Sequence, residues 1–192
     1  MKSKDSKIRH TIEALTSLFL FLLQYIPVAG PWFGFMILPL APFVLGLFWV
    51  LPEFWEAEIY LLLLSPRLMF GRIVAIMGFI IFLMAFIQLL RARGRLIAWR
   101  LYSIVRHPQY FGIIVMTLGI SIMSIQYTMG ASPQVLYFWL VEVSGYALLA
   151  GYEERHLLIE YGREYQQYKQ AVPFIFPAIN PRKCKRGSAD NG

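Results

Sequence analysis

The sequence predicts an all-α, polytopic membrane protein of about five transmembrane helices with a C-terminal interfacial helix. Three observations carry this. The 192 residues are 58% hydrophobic and only 15% charged, where soluble domains carry about 25% charged residues. The mean hydropathy is +0.55, more apolar surface than one core of so short a chain can hide from water. The charges gather in connections and at the ends, and the stretches between them are apolar and of membrane-spanning length.

The first apolar stretch covers about residues 12–28 and follows Lys2, Lys4, Lys7 and Arg9. A cleaved signal peptide has the same order, but no small-residue cleavage site follows and the next segment is again apolar, so the stretch reads as a membrane helix. Pro27, Gly30 and Pro31 form a turn cluster. The second span, about 32–51, contains Pro39 and Pro42, which membrane helices tolerate as kinks. Trp49, Trp55 and Tyr60 suit an interfacial belt. After the acidic Glu53, Glu56 and Glu58, the apolar piece 60–64 is too short to span and reads as a surface or re-entrant segment.

The third span, about 68–90, has Arg72 near its start and Gln88 near its end. A basic connection with Arg91, Arg93, Arg95, Arg100 and Arg106 leads to the fourth span, about 110–127. Ser132-Pro133 has the pattern of a helix start, serine at the cap and proline at the first helical position. The fifth span covers about 134–151, and its helical pattern continues to Tyr161. Tyr161, Tyr165 and Tyr168 then recur at i, i+4 and i+7, describing an amphipathic helix that either lies at the interface or packs on the protein's own loops. Residues 1–177 thus read as one membrane domain, and 178–192 as a polar, basic tail expected to be disordered.

Positive charge favours the cytoplasmic side. The arginine-rich connection and the basic tail, two crossings apart, agree on that side, and the acidic connection falls opposite. The lysine-rich N-terminus does not agree: either the first two spans form a re-entrant hairpin or the N-terminus overrides the rule. The net charge of +7 flanks apolar segments rather than forming one soluble basic face, so no nucleic-acid partner is expected. Cys184 is the single cysteine and His10, His107 and His156 make no ligand cluster, so neither an internal disulfide nor a metal is expected.

Polar residues at membrane depth are costly and mark functional positions. Two groups qualify. In Arg106-His107-Pro108-Gln109-Tyr110-x-Gly112, Pro108 fits a first helical turn whose free N–H groups attract anions, His107 adds a hydrogen-bonding ring, and Gly112 permits close approach of a backbone or a ligand. Alone, this group reads first as an ordinary interfacial helix cap. In the second, Glu153-Glu154 follow directly on an apolar run. Adjacent helical residues point about 100° apart, so one glutamate is expected to face the bundle and the other water. Alone, the pair reads first as two solvated charges.

Taken in order, RHPxYxG and then EExxLxxxYGxxYxxY followed by Val172-Pro173, the sequence resembles the isoprenylcysteine carboxyl methyltransferase family, within a wider group that includes membrane phospholipid methyltransferases. The resemblance covers about residues 88–177, which it marks as the catalytic part. It implies S-adenosyl-L-methionine as cofactor, held between the last spans and capped by the C-terminal helix, and the carboxylate of a prenylated cysteine, or a lipid, as acceptor within the bilayer. It places His107, Pro108, Gln109 and Tyr110 on the cofactor motif, Tyr102 on its wall, Leu96 and Ile97 at the adenine, and Glu153 on a cofactor-contacting glutamate. Gln88 falls near a family glutamine. The sequence departs from the family at Leu149, where eukaryotic members tend to carry an arginine facing the acceptor carboxylate. Arg106 is the candidate to replace it, and the site is expected to face the cytoplasm.

Methyl transfer to a carboxylate is consistent with the residues present. The acceptor is already ionised near neutral pH, so alignment suffices and no base is required. A lipid amine, by contrast, must lose a proton. The third and fourth spans carry no charge at their centres, which disfavours a transporter with a midplane site. No nicotinamide-binding motif supports a reductase.

Overall fold

The computed structural model describes residues 35–50, 65–92, 96–130 and 133–177. The expected first span, the piece 60–64 and the tail 178–192 lie outside these residues. Those described form helices joined by turns, with no strand among them. Four helices are α1 (Leu40–Val50), α2 (Met69–Ala92, entered through a 3-10 turn Pro66–Leu68), α3 (Pro108–Tyr127) and α4 (Val135–Ala171).

Three helical stretches, Pro66–Ala92, Pro108–Tyr127 and Val135–Ala171, are long and apolar enough to cross a membrane. They correspond to the expected third, fourth and fifth spans. The second expected span is broken within its described part. A turn precedes Pro39 and α1 has 11 residues, about 16 Å of helix against a hydrocarbon core of about 30 Å. Pro39 disfavours helical geometry in the residue before it, which accounts for the late start. Pro133 and Gln134 form a turn, and α4 starts at Val135, two residues beyond the expected first position.

The distribution of side chains is that of a protein in lipid. Large apolar residues of α2 such as Phe70, Ile76, Phe79 and Met84 are exposed, whereas Gln88, His107, Thr117, Ser121, Glu142 and Glu154 are buried. The protein is an integral membrane protein.

Lipid gives no hydrophobic drive for helices to associate, so close van der Waals packing must hold them. Helices α2 and α3 run antiparallel along a seam of small residues. A Cβ on Gly112 would strike the backbone of Phe82, and one on Gly78 the backbone of Met116. Gly112, read from the sequence as a point of close approach, therefore serves the helix seam. The opposite face of α3 meets α4, also antiparallel: Trp139 Nε1–H donates to Ile114 O (3.0 Å), and Tyr110 stacks on Tyr146 at 5.2 Å. Helix α1 covers α4, and the Tyr146 hydroxyl donates to Met36 O just before it (2.9 Å).

Helix α4 is not straight. Gly162 adopts φ 53, ψ −119, a combination that only glycine takes without strain. The break turns the residues after it back onto the end of the bundle.

Candidate functional site

The site lies at the end of the bundle where α3 begins and α4 breaks. The connection before α3 turns at Arg100, whose φ is +55, and a 3-10 turn Arg100–Ser103 brings Tyr102 inward. Pro108 opens α3, its missing N–H harmless in a first turn. His107 occupies the cap position without a side-chain capping bond, which leaves its imidazole to other partners. The chain after α4 fixes this corner: the Arg106 N–H donates to Pro173 O (2.9 Å) and Phe174 O (3.2 Å), and the His107 N–H to Phe174 O (3.3 Å).

His107 then lies between both glutamates. Nδ1 is 3.5 Å from Glu153 Oε2 and Nε2 is 3.6 Å from Glu154 Oε1, ion-pair distances beyond a hydrogen bond. The expectation that one glutamate faces water is corrected: the His107, Glu153 and Glu154 side chains are only 2%, 14% and 6% exposed. The two ring nitrogens point in divergent directions, so adjacent helical residues both reach the same imidazole. Glu153 Oε2 also accepts from the Tyr110 hydroxyl (3.0 Å). Glu154 meets Arg106 Nη1 at 2.7 Å and Lys169 Nζ at 2.8 Å. Tyr110 stacks along His107 at 5.5 Å, and Phe174 meets the ring edge-on.

Burial works against the charged imidazole, but Glu153 and Glu154 outweigh it and raise the His107 pKa above its ordinary value. Tyr102 is pushed up by burial first and then by the Glu153 charge, so its hydroxyl keeps its proton.

Several buried polar atoms here have no hydrogen-bond partner: the hydroxyls of Tyr102 and Tyr165, Oε1 of Gln109, Oε1 of Gln88, and both imidazole nitrogens of His107, which meet the glutamates only at ion-pair distance. Buried polar groups are seldom left so.

The structure brings Tyr102, Arg106, His107, Tyr110 and Glu153 together from the expected set. Pro108 supplies the helix start. Ile97 packs with Ala85 and Tyr102 on the α2 side, and Leu96 precedes it, half-buried. Gln88 is buried on the same helix, one turn after Ala85. Gln109 is buried beside the His107 turn. Arg106, expected to await an acceptor carboxylate, is paired with Glu154, and its guanidinium lies over the Phe174 ring at 5.3 Å. The tyrosine face beyond Gly162 packs on the protein's own connection, where the Tyr168 hydroxyl donates to Tyr102 O (2.6 Å).

The sequence reading passed over Glu154 as a partner of His107, Lys169, Phe174 and Glu142. Glu142 is fully buried within α4, and its Oε1 is 3.2 Å from the Thr117 hydroxyl. A lone acid in the apolar run VLYFWLVEVSGY was the available signal.

Residues 58–172 match the family model DUF1295, described as a protein of unknown function. The chain belongs to that family. This DUF1295 chain is also similar to curated proteins. It is 38% identical over 77 residues to methanethiol S-methyltransferase 1 of Bradyrhizobium diazoefficiens, covering 40% of the chain and 24% of that protein. It is 31% identical over 87 residues to protein-S-isoprenylcysteine O-methyltransferase B of Arabidopsis thaliana, covering 45% of the chain and 41% of that protein. With protein-S-isoprenylcysteine O-methyltransferase of Schizosaccharomyces pombe the identity is 33% over 79 residues, covering 41% of the chain and 31% of that protein. The matched segments thus span less than half the length of these relatives. No solved structure matches the chain significantly.

Proposed function

We propose that this chain is an S-adenosyl-L-methionine-dependent methyltransferase acting at the cytoplasmic face of a membrane, with the carboxylate of a prenylated cysteine as acceptor. One observation carries the reading: His107 held between Glu153 and Glu154, beside buried tyrosine hydroxyls that have no protein partner. Two relatives named as isoprenylcysteine O-methyltransferases support it.

The residues fit this cofactor. Its ammonium group and ribose hydroxyls need acceptors, which Glu153 and Gln109 Oε1 provide. Its carboxylate needs donors, which the His107 imidazole, the first turn of α3 and the Tyr102 hydroxyl provide. Ile97 and Leu96 would lie against its adenine, and Gln88 Oε1 would accept from a donor there. When bound, the cofactor supplies an electrophilic methyl group on a sulfonium. The protein's own part is to orient and to exclude water: Tyr110 fixes Glu153, the Phe174 edge fixes His107, and the segment after Gly162 covers the polar corner.

A specific observation favours a second acceptor class. Arg106 is occupied by Glu154 and Leu149 lies against an apolar cluster, so neither offers a cation to an acceptor carboxylate. A small apolar thiol needs none, and one relative is named for methanethiol S-methylation. A thiol acceptor must lose its proton on the way to the thioether.

The test is a titration of purified protein in nanodiscs with S-adenosyl-L-methionine, for wild type, His107→Ala and Glu153→Ala. Wild type is expected to bind, and each variant to lose about 100-fold or more in affinity, or about 2.7 kcal/mol, while remaining folded by circular dichroism. Equal affinity in all three proteins would falsify the site. Labelled cofactor offered with a prenylcysteine, methanethiol and phosphatidylethanolamine in parallel then separates the acceptors.

A further inference from the structure

We infer that Lys169 is a positioning residue, latched to Glu154, that holds the segment 163–177 closed over the His107 corner. The inference deepens the methyl-transfer reading and rests on it only for its cofactor readout.

The argument begins with helix geometry. Lys169 follows Glu154 by fifteen residues in one helical stretch. On a straight helix that separation is about 22 Å, far beyond the reach of an ion pair. Yet Nζ of Lys169 lies 2.8 Å from Glu154 Oε2. The reversal at Gly162 makes this contact possible, and the contact in turn selects the reversed arrangement. A Cβ at Gly162 would meet nothing within 4 Å, so neighbouring side chains do not dictate the bend. The contacts beyond it do.

Those contacts fall into two sets. The Tyr168 hydroxyl on Tyr102 O, and Pro173 O and Phe174 O on the N–H groups of Arg106 and His107, tie the segment to the connection before α3. Among the described residues of the segment, Lys169 alone ties it by charge to the glutamate pair. Glu154 is 6% exposed while Lys169 is 48% exposed, so one end of the latch is fixed in the bundle and the other reaches in from solvent. Glu154 also carries Arg106 and faces His107. Loosening Lys169 therefore acts on the closure of the segment and not on the folding of the span.

The experiment compares wild type, Lys169→Met and Lys169→Arg, each as full chain in nanodiscs. Lys169→Met keeps the aliphatic stem and removes the charge; Lys169→Arg restores it. Hydrogen–deuterium exchange is read without cofactor. Amides of residues 163–172 are expected to exchange about tenfold faster in Lys169→Met, with α2 and α3 unchanged and Lys169→Arg close to wild type. With cofactor, its dissociation is expected to accelerate about tenfold in Lys169→Met, while kcat at saturating cofactor stays within twofold. Wild-type exchange of 163–172 in Lys169→Met overturns the latch. So does a loss of kcat with unchanged cofactor dissociation. If wild type binds no S-adenosyl-L-methionine, the methyl-transfer reading falls, and the exchange comparison still decides the latch.

Discussion

Two seams of α3 differ in kind. Towards α2 it presents glycines, and the backbones close until a single added carbon would strike main chain. Towards α4 and the chain end it presents Tyr110, Thr117 and Ser121, and the histidine at its cap lies between two acids. The first seam leaves no room; the second leaves buried polar atoms unpartnered. One helix thus packs by glycines on one face and presents buried polar groups on the other, and substitutions on the two faces should fail in different ways.

The largest effect is expected on the glycine seam. A Cβ at Gly78 or Gly112 meets backbone atoms that cannot rotate away, so α2 and α3 must part along their length. Gly112→Val and Gly78→Val are expected to destabilise by about 3 kcal/mol, the upper part of the overpacking range, with a clear fall in the thermal unfolding midpoint in detergent. A variant that unfolds like wild type would show that the seam yields, and that the contrast between the two faces is wrong. Gly162→Ala should do less. Its Cβ meets nothing, and only the backbone strain at φ 53 is felt, about 1–3 kcal/mol. That cost should fall on the segment after the break, read as faster amide exchange there with α2 and α3 protected as before.

The same contrast decides what was legible in the sequence. The long apolar stretches became α2, α3 and the start of α4 because length and hydropathy alone specify a span. Gly112 was legible as a close approach because only glycine permits one. RHPxY and EE were legible as candidate positions because charge at membrane depth demands a reason, and the structure brings their side chains together. The roles of these residues were not legible. The inward turn of both glutamates depends on where the imidazole sits between α3 and α4, which helical periodicity cannot state. The ion pair between Glu154 and Lys169 depends on a bend at Gly162 that a period of 3.6 residues hides. Glu142 was passed over because its partner Thr117 lies on another helix.

The charged corner should also respond to pH. The His107 pKa is raised in the folded protein, since Glu153 and Glu154 outweigh burial. The stability it contributes is therefore complete below its unfolded value, about 6.5, and is lost as pH rises through the higher folded value. Unfolding midpoints of wild type and His107→Gln, measured from pH 5.5 upward, are expected to differ most at the acidic end and to converge as pH rises. A difference that stays constant with pH would mean that packing of the ring, and not its charge, stabilises the corner.

The smallest effect belongs to the polar face deep in the bilayer. The Thr117 hydroxyl lies within hydrogen-bond distance of Ile113 O, Ile114 O and Glu142 Oε1. A single proton serves three acceptors, so the bond across to α4 competes with two bonds inside α3. Interhelical hydrogen bonds in membrane proteins contribute on average about 0.6 kcal/mol, because the separated helices also find partners. A double-mutant cycle with Thr117→Val and Glu142→Met is expected to give a coupling of that size or less. Methionine keeps the length of the side chain and removes the acceptor, so the cycle isolates this bond. A coupling above about 2 kcal/mol would exceed the range for such bonds and make Thr117–Glu142 a second anchor of α3, which would end the contrast between a face that holds the helix and one that does not.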